Sequence, residues 1–557
     1  MSRRRRRVHV VVAGAAFGGL VLAGLAGAVQ SAPAAPAEAE SAAAAPTPSV
    51  IPAPVSMKTS AKGFRIDRHT KITVRGPQRA EAVGEFLADV LRPATGYPLP
   101  VKSLRPGAMP GGISLRVTDD RDLSGEAYRL DVTRGGALLQ AGTPEGLFRG
   151  VQTIPQLLPA KVEHDSVQPG PWQLPGVHIA DRPRYEWRGA HLDVARHFLS
   201  IDEVKRYIDL LALYKVNRLH LHLSDDQGWR IEIASRPDLT EIGGASEVGG
   251  GPGGFYTEAD YGEIIDYAAE RFIMIVPEID MPGHTDAAEV SYPELNSCRP
   301  DNLPSHRLLE GWEDEPYYTG TSVGFSALCV HDPVTYEFVD DVVRDLAAMT
   351  PGPYIHVGGD EAHQTPDADY VMFMDRVRDI VAAHGKTLMG WAEVAQANPL
   401  PGSIAQNWST AVGDEGGGDL AREAVAKDLE VVMSPANRVY LDMKYAPGVP
   451  PNLGLSWAGF VEVRPSYEWN PGDHLTGVTD ADVLGVEAPL WSETVTNIDE
   501  AEVLAFPRMA GAAEIGWTPQ SKRDWDDYRV RLAGQAERWE ILGVDFYRSP
   551  QVPWPSD

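Results

Sequence analysis

Cysteine is almost missing from this chain, with two residues in 557. That excludes a disulfide-built scaffold and a cysteine-rich zinc or iron–sulfur centre. Positive charge is also short. Fifty Lys and Arg stand against 78 Asp and Glu, a formal charge of −28, so neither nucleic acid nor an anionic membrane is the expected main partner. Long apolar runs are confined to the N-terminus. The rest is ordinary for a globular chain, 43% hydrophobic and 23% charged, and long enough for a large core and more than one domain.

The N-terminal run has a recognisable order. Five arginines, Arg3 to Arg7, precede a stretch from Val8 to Gln30 that carries no Asp, Glu, Lys or Arg, and Ala26-Gly27-Ala28 offers a small-x-small cleavage site. These are the parts of an export signal, so residues 1–31 are expected to direct secretion. A retained N-terminal membrane anchor is the alternative. Residues 32–54, rich in Ala and Pro, read as a tether. No second long apolar span follows, so no stable membrane partner is expected. Cys298 and Cys329 lie in one stretch of an exported chain and are expected to form a disulfide that holds a loop.

Residues 55–180 alternate short strand-like runs with helical spacing. Phe64 to Ile66 and Lys71 to Val74 read as strands, Gln78 to Leu91 as a helix, Tyr128 to Val132 and Ala137 to Gln140 as a hairpin, and Thr143 to Leu158 as a helix. They make a small α+β domain without a catalytic constellation. From residue 181 to 557 short apolar runs alternate with amphipathic helices. Strands are expected at His191–Val194, Arg218–Leu223, Phe272–Val276, Tyr354–Val357, Lys386–Met389, Ser403–Gln406, Glu430–Met433 and Val486–Leu490. Ser200 and Glu203 have capping-box spacing ahead of a helix from Ile201 to Tyr214. Eight such units predict a (β/α)8 TIM barrel, an α/β fold, preceded by the small domain.

In such a barrel the working residues sit at the C-terminal strand ends. Here those ends carry Arg196 and His197; Asp225 and Asp226; Glu278, Asp280 and His284; Asp360 and Glu361; Trp391 and Glu393; Gln406 and Trp408; Tyr440 and Asp442; and Trp491 and Glu493. Carboxylates accept hydrogen bonds from sugar hydroxyls, aromatic faces pack on sugar rings, and paired carboxylates cleave glycosidic bonds. The set therefore points to a sugar hydrolase. Asp360 and Glu361 are adjacent, which suits poorly the opposed pair of an ordinary retaining enzyme, whose carboxyls stand about 5–5.5 Å apart across the bond. One proton donor, plus one residue orienting a nucleophile carried by the substrate, suits them better. A 2-acetamido group can be that nucleophile, with tryptophans around its methyl.

These motifs resemble glycoside hydrolase family 20, the β-N-acetylhexosaminidases of secreted bacterial type. The resemblance rests on Gly358-Gly359-Asp360-Glu361, on Val276 to His284, on His220 to Asp226, on Trp187-Arg188-Gly189 with Asp193 to His197, and on Ala488 to Glu493. It implies Glu361 as general acid/base and Asp360 as the partner of the acetamido N–H. It further implies Tyr440 as donor to the acetamido oxygen and Trp391, Trp408 and Trp491 as the pocket. Arg196 would bind O3 and O4, Glu493 O4 and Asp442 O6. Asp225 and His284 would tune Glu361, with Asp280, Asp226, Glu278 and Glu393 as supports. The implied activity is exo-cleavage of terminal N-acetylglucosamine, or N-acetylgalactosamine, from oligosaccharides such as chitin fragments, without a cofactor or metal.

Three rival readings have distinct signatures. A metal-dependent hydrolase would use His220, His222, Asp280, His284 and Asp360, and would lose activity on chelation. A non-catalytic sugar-binding protein would not need the acid pair. A family member releasing a disaccharide would leave room beyond the first sugar. The aromatics of the long loops, Trp312, Tyr317, Trp457 and Trp469, are expected to serve local packing.

Overall fold

The computed structural model describes residues 48–103 and 111–555, so the expected export signal and most of the tether lie outside the described residues. Among the described residues no helix is long and apolar enough to cross a membrane.

The small domain is a seven-stranded mixed sheet, with Ser56–Ile66 at one edge and Val101–Ser103 at the other. Its long helix, Gln78–Thr95, buries Ala80, Val83, Leu87 and Leu91 on one stripe and stops at Gly96 in the left-handed conformation. The expected helix from Thr143 to Leu158 is two short ones, Pro144–Val151 and Thr153–Gln156. Thr143 caps the first by accepting the Gly146 N–H at 3.0 Å.

The tether ends sooner than its composition suggests. Val50 and Ile51 are fully buried. The Gln156 side chain takes the Ile51 N–H at 2.9 Å, and Glu514 takes the Ala53 N–H at 2.8 Å. Glu514 also holds Arg531 through both oxygens, at 2.7 and 2.8 Å. Residues 48–54 thus strap the small domain to the last helices of the chain. Ile51→Ala is expected to cost about 2–5 kcal/mol in urea unfolding, whereas a tether residue would cost nothing.

The eight expected strands close into a parallel barrel: Trp187–Asp193, Arg218–His222, Met274–Glu278, Tyr354–His356, Thr387–Trp391, Ile404–Asn407, Glu430–Met433 and Val483–Ala488. Thr387–Trp391 runs two residues past its expected end, and three others are displaced where a charged residue lies in a buried strand. The first begins four residues early because Arg188 is satisfied by Glu126 of the small domain, so a charged residue sits in a buried strand. The third runs on through Pro277 to Glu278, whose carboxylate lies among histidines. The eighth starts at Val483 and contains buried Glu487, held by Trp187, His220 and Gln406. The helix Ile201–Leu213 begins as expected, with the Glu203 carboxylate accepting the Ser200 N–H at 2.8 Å.

Candidate active site

All eight strand ends deliver polar or aromatic side chains to one mouth, and the local backbone explains the sequence there. Gly358 has φ 63° and Gly359 φ 106°. A Cβ on Gly358 would come within 1.8 Å of Asp280 Oδ1, and one on Gly359 within 2.8 Å of the Tyr370 hydroxyl. Both positions therefore require glycine. The turn is pinned by Asp280, which accepts the Gly359 N–H at 2.9 Å. It delivers Glu361, itself at φ 47°, next to buried Asp360.

The two carboxylates do not oppose each other across a gap. Both approach the same nitrogen, with His284 Nε2 3.6 Å from Glu361 and 3.9 Å from Asp360. His284 Nδ1 lies 3.2 Å from Asp225. Burial would discharge His284, but the charge of Asp225 outweighs it and raises the imidazole well above its ordinary value. Burial pushes Glu361 up, and the charge of His284, 3.6 Å away, more than offsets that, holding the carboxyl below the usual range. Asp360 goes the other way. Burial raises it, and Glu361 adds to the rise against the pull of His284. Asp280 is raised by burial and by Asp360, and Asp226 is pushed to about 7 by burial and Asp225.

Aromatic rings wall the pocket. Trp391 is fully buried and donates its indole N–H to Glu278 at 2.9 Å. Trp491 lies 5.7 Å from Trp391 and 6.3 Å from Tyr440, centre to centre. Trp408 gives its N–H to both oxygens of Glu393, at 3.1 and 3.2 Å. Glu393 is pushed up to about 8 by burial and by Asp360. Trp457 departs from the packing role expected of it. It is 54% exposed and meets Trp408 and Tyr440 edge-on at 6.0 and 5.8 Å, at the rim. Trp469 is buried and Trp312 packs on Tyr318, as expected.

The far end of the pocket is charged. Arg196 is buried, with Nη2 2.6 Å from Asp225 and its guanidinium 4.9 Å over Trp491. Asp442 is 1% exposed, and neither of its oxygens meets a side-chain donor; Oε2 of Glu493 likewise has none. Burial and Glu493 push Asp442 well above the carboxylate range. Such groups are suited to donors brought by a ligand.

Beneath the pocket lies a polar column that the sequence reading mostly missed. His222, Glu278, His220 and Glu487 follow one another, with His191 and His356 beside them, all buried. The signal was present as inward-facing polar residues at alternate positions of apolar strands. The column bears on the metal reading, because His220 and His222 already face Glu278, Glu487 and Asp225. Several groups here have ligand atoms within 4.8 Å of one another, among them His220, Glu278 and His356, and Asp280, His284 and Asp360.

Cys298 and Cys329 are bonded, closing a 31-residue separation. The loop they close carries Ser326, whose hydroxyl accepts the Thr285 N–H at 3.0 Å and donates to Asp226 at 2.5 Å. The disulfide thus supports the turn that carries His284.

The model of the glycosyl hydrolase family 20 catalytic domain matches residues 185–520, and that of the family's domain 2 matches 47–182. A β-N-acetylhexosaminidase of Cellulomonas fimi is 40% identical over 92% of this chain and 98% of its own. The structure of a family 20 β-N-acetylhexosaminidase from Streptomyces coelicolor A3(2) is 54% identical, with a TM-score of 0.86 over 92% of this chain and 99% of that one. A mutant Streptomyces plicatus β-hexosaminidase in complex with its product, GlcNAc, is 53% identical with a TM-score of 0.86, covering 92% of this chain and 98% of that one. The chain belongs to glycosyl hydrolase family 20.

Proposed function

We propose that this chain is a secreted, exo-acting β-N-acetylhexosaminidase. It removes terminal N-acetylglucosamine, or N-acetylgalactosamine, from the non-reducing end of oligosaccharides such as chitin fragments, with retention. The observation that carries the reading is the convergence of Asp360 and Glu361 on one histidine nitrogen, at 3.9 and 3.6 Å. Carboxyls set side by side leave the opposite face of the sugar to a nucleophile from the substrate itself.

In this reading the acetamido oxygen attacks the anomeric carbon, and the glycosidic oxygen leaves with the proton of Glu361. Asp360 accepts the acetamido N–H and balances the positive charge of the oxazolinium-like intermediate. Tyr440 donates to the acetamido oxygen, and Trp391, Trp408 and Trp491 enclose the group. Glu361 then takes a proton from water, which opens the intermediate with the original configuration. The carboxyl is 27% exposed without substrate. A bound sugar covers the carboxyl from bulk solvent and raises it toward the protonated form that the first step needs. Arg196, Asp442 and Glu493 close the far end around O3, O4 and O6, which favours release of one sugar over a disaccharide. Trp457 at the rim is placed to face the next sugar.

The test is cleavage of the p-nitrophenyl β-glycosides of N-acetylglucosamine and of glucose, before and after exhaustive chelation. The expected result is hydrolysis of the N-acetyl substrate alone, unchanged by chelation. Equal cleavage of the glucoside would place the nucleophile on the protein. Loss on chelation would return the reaction to the Asp280, His284 and Asp360 group as metal ligands.

A further inference from the structure

His222 lies one layer below the pocket, and both of its ring nitrogens face carboxylates. Nδ1 is 2.6 Å from Glu278 Oε2, and Nε2 is 2.8 Å from Asp225 Oδ2. A neutral imidazole has one N–H and one bare lone pair. Whichever nitrogen were bare would set its lone pair against an oxygen at hydrogen-bond distance. The conflict disappears if the ring carries two protons, or if one carboxylate carries one.

The surroundings of both carboxylates argue for the ring. Asp225 Oδ1 accepts the Asp226 N–H at 2.6 Å and faces His284 Nδ1 at 3.2 Å, while Oδ2 takes Arg196 Nη2 at 2.6 Å. Glu278 Oε1 accepts the Trp391 indole at 2.9 Å, and its Oε2 is also 3.0 Å from His220 Nε2. Every oxygen of the two carboxylates already faces at least one nitrogen, and Glu278 Oε1 also lies 2.9 Å from His356 Nδ1. In the competing arrangement a bare Nε2 accepts from Arg196 Nη1 at 3.4 Å. That still leaves its lone pair against Asp225.

We infer that His222 is a positioning residue held permanently as an imidazolium, and that this buried cation locks Asp225 as an anion and thereby sets His284 against Glu361. The inference rests on the reading of Glu361 as the proton donor. Charges then alternate upward from the barrel core: Glu487, His220, Glu278, His222, Asp225, His284, Glu361. Other charged groups face this line. Arg196 and Asp193 flank His222, and His191, its ring 5.8 Å away, is driven neutral by burial. Asp360, Arg196 and His363 act on Glu361. Burial disfavours charge on His222, yet Glu278 and Asp225 more than reverse this, to about 10.

Neutron crystallography of the unliganded wild-type chain at about pH 8, where an ordinary histidine is neutral, reads the protons directly. Deuterium is expected on both nitrogens of His222 and of His284, and none on Asp225. A bare nitrogen on His222, or deuterium on Asp225, would overturn the inference. The kinetic counterpart is the pH profile of kcat/KM for His222→Gln. Removing a cation below the acid should raise the basic limb by about one pH unit. A folded, active variant with the wild-type limb would also overturn it. If the variant does not fold, the neutron map decides alone. That map needs no turnover, so failure of the proposed activity and failure of this inference are seen separately.

Discussion

Glu361→Gln is expected to slow hydrolysis of an alkyl β-N-acetylglucosaminide by about 10²–10⁴-fold, and of the p-nitrophenyl glycoside far less. The difference comes from the leaving group. An alkoxide must be protonated as the bond breaks, whereas p-nitrophenolate is stable enough to depart as an anion. Asp360→Ala should behave otherwise, losing about 10²–10³-fold on both substrates, because its charge and acetamido contact serve the attacking side. The structure permits this separation because the two carboxylates differ in setting. Glu361 is partly open and held low chiefly by His284 against its burial, and Asp360 is buried and held high. Equal losses on both substrates for Glu361→Gln would remove it as proton donor. Residual full activity in Asp360→Ala would remove the acetamido-assisted route.

The barrel and its mouth were legible because two periodicities coincide there. Apolar runs gave the strands, and each ended in the residue types that a sugar site needs, so Arg196, Asp360, Trp391 and Glu493 could be picked from strand ends alone. What stayed hidden was polarity inside the barrel. Arg188, Glu278 and Glu487 break the apolar pattern of buried strands, and each is satisfied by residues distant in sequence, Glu126, His222 and Trp187 among them. No local pattern reports such pairing. The strap at Val50 and Ile51 was hidden for a related reason. Ala and Pro dominate the composition before it, and only the contacts with Gln156 and Glu514 show where the packed chain begins. Trp457 shows the opposite limit: sequence places an aromatic in a loop, but only the fold puts that loop beside Trp408.

Asp442→Ala is expected to lower kcat/KM for N-acetylglucosaminides by about 10- to 100-fold, the worth of a hydrogen bond to a charged group. The stronger form of the prediction pairs it with a 6-deoxy substrate. Wild type should lose a similar factor on that analogue, and the variant should lose little more, since the interaction is already gone. The physical ground is the state of the carboxyl before substrate arrives. It is almost fully buried beside Glu493, with no side-chain donor on either oxygen, and those two neighbours' charges oppose each other's ionisation. A sugar hydroxyl donating to it favours the anion, so binding should be accompanied by proton release, measurable as a buffer-dependent heat in calorimetry with a non-hydrolysable analogue. If the two losses multiply instead, Asp442 does not meet O6. The same cycle run with Glu493→Gln and a 4-deoxy substrate would then show which carboxylate reads which hydroxyl.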